Sequence, residues 1–181
     1  MIRTKKVFLT DDVEKLQLYP EIRFYIVGSG SRASWLEQEI SRRGLNNVKL
    51  TGRLPLSDMP ALFSAASALM VTLNDDPILA YTIPSKLQAY LAVGRPVIAC
   101  LNGEGARVIE ASGAGVTCPA EDASALADSV LKLYAMPPKE RDRLGELGRR
   151  YFSEHFESEK LVCALIEHFE AALLKHGRKK A

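Results

Sequence analysis

The chain has 181 residues, 47% hydrophobic and 25% charged, the balance of a globular protein long enough to bury a core of its own. A formal net charge of +2 is too small to argue for nucleic acid or a membrane surface. No run approaches the roughly 18 to 20 apolar residues that cross a bilayer, and the opening MIRTKKVFLTDD lacks the apolar stretch of a signal peptide. Cys100, Cys118 and Cys163 are scattered and odd in number, which fits a reducing, cytoplasmic setting better than a disulfide framework. The first two lie in apolar runs and read as small buried hydrophobes.

IRFYIVG, residues 22–28, is a β-rich run that ends at glycine. SWLEQEISRRG follows with Trp35, Leu36 and Ile40 at helical spacing and Gly44 as its stop. NVKLTG predicts a short strand ending at Gly52, and LSDMPALFSAAS a helix with Ser57 as N-cap and Leu62 and Phe63 facing inward. ALMVTL, residues 68–73, reads as a buried strand, NDDPILAYTI as a polar loop, and the stretch from Pro84 as a helix. PVIACL is the next strand, GEGARVIEASG a short helix and AGVTCP a last short strand. DASALADSVLKLYAM is a helix capped by Asp122. Strands alternating with helices at this spacing predict an α/β fold, a Rossmann-like doubly wound parallel sheet over residues 1–136. From Pro137 the strand signal stops. Two charged amphipathic helices are expected over 137–177, packed on or beside the sheet, with a basic tail at 178–181. In the second helix Leu161, Leu165, His168 and Phe169 fall near one stripe, as do Leu173 and Leu174, and His168 reads as a satisfied interface residue.

Open α/β sheets bind ligands beyond the carboxyl ends of their strands. The candidate loops are therefore Gly28-Ser29-Gly30-Ser31, Thr51-Gly52-Arg53, residues 74–83 and Asn102-Gly103-Glu104-Gly105. Glycine and hydroxyl residues there let backbone N–H groups approach a polar ligand. GSGS is a weak signal: Ala33 stands at the third glycine position, and Lys49, Leu50 and Thr51 stand where a dinucleotide fold would place an acid for the ribose. A tight strand-to-helix turn explains these glycines as well. In YTIPSKLQAYLAVGRPVIAC, Pro84 suits a first helical turn. Ser85 and Lys86 then sit at a helix N-terminus, where unpaired N–H groups carry about half a positive charge. A cation there costs a few tenths of a kcal/mol, and an anion bound between the two reverses that sign. The alternative is a Lys86 that extends into solvent, and local physics leaves both open. His155, His168 and His176 all fall in the C-terminal helices without zinc spacing, and neither a P-loop nor a Ser-His-Asp grouping occurs in the strand-end loops.

Taken in order, FYIVGSGS, NVKLTGRLPLSDMPALFSAASALMVTL, TIPSKLQAYLAVGRPVIA, GEGARVIEASGAGVTCPAEDASALADSVLKLY and RLGELGRRYFSEHF resemble one known domain. It is the C-terminal, nucleotide-sugar-binding domain of the two-Rossmann (GT-B) glycosyltransferases, in particular bacterial enzymes of surface-polysaccharide assembly, fucosaminyltransferases among them. The resemblance covers about residues 5–175. It implies retaining transfer of a sugar from a nucleoside-diphosphate donor, UDP being the best match, to an acceptor hydroxyl, with no cofactor and no obligatory metal. By position it implies Gly28 and Gly30 near the donor, Thr51, Gly52 and Arg53 along the base, Ser85 and Lys86 at the diphosphate and sugar, and Glu104 close by. Many relatives carry two glutamates eight positions apart; Tyr81 and Ala89 stand at those positions, leaving Gln88 as a substitute for the ribose contact. The resemblance also places a first, central strand before residue 1, and an acceptor-binding domain outside this chain or on a separate one. The whole enzyme is then expected at the inner face of the membrane through its acceptor. The alternative is a non-catalytic or split-enzyme nucleotide-binding module that needs a separate acceptor-domain chain.

Overall fold

The computed structural model describes residues 16–177. Strand β1 (Phe24–Val27) leads to helix α1 (Ala33–Arg43) and strand β2 (Val48–Gly52). A 3-10 turn at Leu56–Asp58 precedes α2 (Met59–Ala65) and β3 (Leu69–Thr72). One helical turn, α3 (Pro77–Ala80), comes before α4 (Ser85–Val93) and β4 (Val97–Cys100). Then follow α5 (Glu104–Ser112), β5 (Gly115–Cys118), α6 (Ala123–Ala135), α7 (Pro138–His155) and α8 (Ser158–Gly177).

All strand pairs are parallel, and the helices between them make the α/β architecture expected from the alternation. The strands form two ladders rather than one continuous sheet: β2 beside β1, and β3-β4-β5. Nucleotide-binding doubly wound sheets take the order 3-2-1-4-5-6. The observed strands match positions 3-2 and 4-5-6, so the place between β1 and β3 holds no strand among the described residues. The resemblance assigns that place to a strand preceding residue 1; residues 1–15 lie outside the described residues, as does the tail at 178–181.

β4 buries all four of its residues because both faces are covered. Ile98 and Cys100 point into a core shared with Val116, Cys118 and the α6 residues Leu126, Val130 and Leu133, closed by Leu16 and Ile22. Val97 and Ala99 point the other way, against Leu87 and Leu91 of α4 and Val108 and Ile109 of α5. Cys100 and Cys118 are register partners and buried, as the apolar runs predict; Cys163 is exposed. A hydrogen bond with the adjoining Cys100, and after it burial, raises the Cys118 thiol, which keeps it neutral. α7 lies close on α4: a side chain at Gly145 would run into the Gly94 carbonyl, and Arg149 Nη2 donates to the Val93 carbonyl at 3.0 Å.

Some local expectations change. Ser57 does not cap α2: the chain enters through the 3-10 turn, α2 starts behind Asp58, and the Ser57 hydroxyl donates to the Asp58 carboxylate at 3.1 Å. Leu62 and Phe63 are only half-buried, although Phe63 stacks edge-on against Tyr90 at 5.3 Å. The 74–83 loop contains the α3 turn, capped by Asp76, whose carboxylate accepts from Ile78 N–H at 2.8 Å. Pro84, with ψ 133°, is the N-cap of α4 rather than part of its first turn. Asp122 caps α6 as expected, accepting from Ala125 N–H at 2.9 Å. His168 is exposed rather than at an interface, because no described element covers that side of α8. Leu161, Val162, Leu165, Ile166, Phe169 and Leu173 are at least half exposed along the same helix.

Candidate functional site

In each β-α unit the helix runs back against the strand, so helix N-termini gather at the carboxyl edge of the sheet. The expected residues fall there in two groups. The first joins β1 and β2. Gly28 N–H donates to the Gly52 carbonyl at 2.8 Å, and Thr51 Oγ1 reaches the carbonyls of Ile26 at 3.4 Å and Gly52 at 3.2 Å. Gly28 (φ 134°) and Gly52 (φ 69°) both take backbone that a side chain would strain, and the space over Gly28, Gly30 and Gly52 is open. Arg53 follows, exposed.

The second group surrounds the starts of α4 and α5. Gly103 has φ 77° and ψ −141°, and a side chain on it would run into the Ala80 carbonyl. Only glycine permits that approach, which seats α3 against the start of α5. A side chain at Gly105 would come within 3.3 Å of the Pro84 ring, so the Gly103-Glu104-Gly105 turn lies against the start of α4. Ser85, Lys86 and Glu104 thereby share one rim. Glu104 is held on its own helix by Arg107 at 2.8 Å. Lys86 is exposed and has no ion-pair partner among the described residues. Gln88 lies one turn further along α4 and is half-buried, while Tyr81 is 84% exposed on the loop before it. Among the described residues, no side-chain hydrogen bond or ion pair links Gln88 or Tyr81 to the rest of the rim, and none joins the two groups to each other.

α1, α2, α4, α5 and α7 carry no side-chain cap, whereas α3 and α6 are capped by Asp76 and Asp122; among the uncapped helices, α4 and α5 are the pair whose starts meet at this rim. The first N–H groups of α4 and α5 therefore keep their donors for something else. Such an arrangement can hold an anion through backbone donors, a hydroxyl and an ammonium group. Among the described residues, no three His, Cys, Asp or Glu side chains converge in a way that could hold a metal ion. A cleft bordered by Arg23, Tyr25, Asn46 and Lys49 opens at the amino ends of β1 and β2, away from this rim.

Sequence reasoning placed Asn102 in a candidate loop without giving it a role. In the structure its carboxamide joins that loop to two others, donating from Nδ2 to Asp75 Oδ1 at 2.9 Å and accepting from Ala120 N–H at 3.1 Å. The legible signal was an asparagine directly after a buried strand; its partners lie 27 and 18 residues away.

With this geometry the class is an α/β domain with an anion-ready rim at its strand ends. The family model described as glycosyl transferases group 1 matches residues 3–136, and the chain belongs to that family. It is 27% identical over 149 residues to the O-antigen chain mannosyltransferase C of Escherichia coli, covering 82% of this chain and 39% of that protein. It is 24% identical over 148 residues to the probable glycosyltransferase WbjE of Pseudomonas aeruginosa, covering 78% of this chain and 36% of that one. The chain thus spans under two fifths of the length of these curated relatives. Among solved structures it superposes on HepE of Anabaena in complex with UDP, with a TM-score of 0.76 at 19% identity over 91% of this chain and 44% of that one. TarM of S. aureus, in a complex that includes UDP, gives a TM-score of 0.76 at 20% identity over 92% and 33%. At these identities the superpositions establish the fold, which is the Rossmann-like one expected from the sequence. Among the described residues no helix is long and apolar enough to cross a membrane.

Proposed function

We propose that this chain is the donor-binding part of a glycosyltransferase that moves a sugar from a nucleoside-diphosphate donor, UDP-linked, to an acceptor hydroxyl in surface-polysaccharide assembly, with retention and without an obligatory metal. The observation that carries this reading is the pair of uncapped helix starts, α4 and α5, meeting at one rim with Lys86 exposed beside them. A nucleoside diphosphate is the leaving group of such a transfer, and N–H donors with an ammonium group stabilise its developing charge. UDP in the HepE and TarM complexes and the O-antigen role of the Escherichia coli relative support the choice of donor and pathway class. Gly28 and Gly30 would lie near the donor, Thr51, Gly52 and Arg53 along the base, Ser85 and Lys86 at the diphosphate and sugar, and Gln88 at the ribose, with Tyr81 on the loop before α4. Glu104 would sit at the edge of the rim. The acceptor side would come from a further domain or a separate chain. The place between β1 and β3 holds no strand among the described residues, and the second reading is a nucleotide-binding module that works only with a separate acceptor-domain chain.

Ligand-observed NMR with UDP, GDP and UDP-sugars tests the donor reading. The folded chain should respond to UDP, and Lys86→Ala should weaken that response by about 1.5 to 3 kcal/mol, the range for a hydrogen bond to a charged group. Stability should stay level or rise, since a cation leaves the positive end of a helix. No response to any nucleoside diphosphate sinks the proposal; a loss of stability with unchanged affinity returns Lys86 to a structural role.

A further inference from the structure

We propose that Asn102 is the positioning residue of the donor site, a side-chain rung that fastens the 74–83 loop, and with it the start of α4, to the end of β5. This rests on the donor reading above. The backbone ladders end just before it: Leu73 N–H donates to the Cys100 carbonyl, and Leu101 N–H to the Cys118 carbonyl, each at 3.1 Å. One residue on, the Asn102 carboxamide continues both ladders outward. It is a peptide group in miniature, with a donor on one side and an acceptor on the other. Its orientation is dictated by its partners. Ala120 N–H can only donate, so Oδ1 faces β5; the Asp75 carboxylate can only accept, so Nδ2 faces the 74–83 loop. The bond to Asp75 has an ionised acceptor and belongs to the stronger class.

Asp75 is tied by Asn102, and Ala80 is seated on Gly103 five residues later. Between them Asp76 caps α3, and Thr82 Oγ1 closes the exit by donating to the Leu79 carbonyl at 2.9 Å. Four residues beyond Ala80 the chain reaches Pro84, the N-cap of Ser85 and Lys86. Releasing Asn102 therefore frees the segment that sets where α4 begins, while leaving the buried strands intact.

Asn102→Asp is the sharpest test. It keeps the shape and the acceptor for Ala120 N–H, removes the donor to Asp75, and sets two carboxylates against each other. The double variant Asn102→Asp with Asp75→Asn restores a donor–acceptor pair with the roles exchanged. Backbone hydrogen exchange over residues 75–82 should accelerate in Asn102→Asp without nucleotide and return toward the native rate in the double variant. UDP affinity should fall about tenfold and recover in the same order, the scale of one charge-assisted hydrogen bond. The thermal midpoint, set by the buried strands, should move far less than the loop exchange. Unchanged loop exchange in Asn102→Asp overturns the proposal, as does a double variant that fails to recover. If the native chain shows no UDP response while exchange follows the predicted order, the rung stands and the donor reading fails. If UDP binds equally well to native chain and Asn102→Asp, the donor reading stands and the positioning role is lost.

Discussion

β4 and β1 are both four-residue parallel strands with apolar sequences, VIAC and FYIV, yet β4 buries every residue and β1 none. β4 has a ladder on each side and a helix layer on each face. Among the described residues β1 has one ladder partner, β2, which contains no buried residue either, and neither do α1 and α2, which follow β1 and β2 in the chain. A near-continuous apolar run is the pattern of a strand meant for the middle of a parallel sheet. β1 thus carries the sequence of a central strand but has a neighbour on one side alone among the described residues. The lesson is that strand composition reports the environment a segment is suited to, while its burial reports which neighbours are present.

The largest test of this contrast is a pair of truncations. Leu91→Ala, in a fully buried side chain, should cost about 2 to 5 kcal/mol, and Leu36→Ala on half-buried α1 less than half as much. Urea unfolding measures both, and equal costs would erase the distinction. Next in size is native-state hydrogen exchange. Amides of β4 should exchange only through global unfolding, and those of β1 and β2 through local opening at least about tenfold faster. Identical protection would mean the two ladders open as one unit. Thiol labelling extends the comparison to α8: of the three cysteines, Cys163 alone should react with a maleimide in the native chain, and all three after unfolding. Rapid native labelling of Cys100 or Cys118 would show that the β4–β5 core breathes. The smallest effect belongs to α1. Hydrogen bonds from Arg42, then Arg43, lower Glu39 from the ordinary 4.5 to about 2. A depressed carboxyl contributes stability that is complete above the ordinary value and lost as pH falls toward the folded one. Glu39→Gln should therefore flatten the acid limb of the stability curve between about pH 4.5 and pH 2, slightly, because ion pairs within a surface helix contribute little.

Much of the architecture was readable in advance because it is local. Glycine at the end of α1, an aspartate ahead of α6 and the change of period after Pro137 each report on neighbours a few residues away. The misreadings share a cause. Ser57 and Pro84 have the chemistry for their expected positions, but the path of the chain into each helix shifted them out of place. That the strands form two ladders among the described residues could not be seen from pairing patterns, since a strand's sequence does not say which of its sides is filled. The stripe on α8 was visible as a pattern, but its exposure was not. For the site, the rule of strand ends located both groups of residues. The contacts within each group, Thr51 with Ile26 and Gly103 with Ala80, span 25 and 23 residues and required the folded chain.

The close seat of α7 on α4 has a mechanical consequence. α4 is a bar of nine residues, about 13 Å long at 1.5 Å per residue. Its far end is gripped where Gly145 meets Gly94 and where Arg149 holds the Val93 carbonyl. Its near end carries Ser85 and Lys86. The bar has no glycine or proline within it at which to bend. A rotation of α7 about that grip is delivered, like the swing of a lever, to the two residues at the opposite tip.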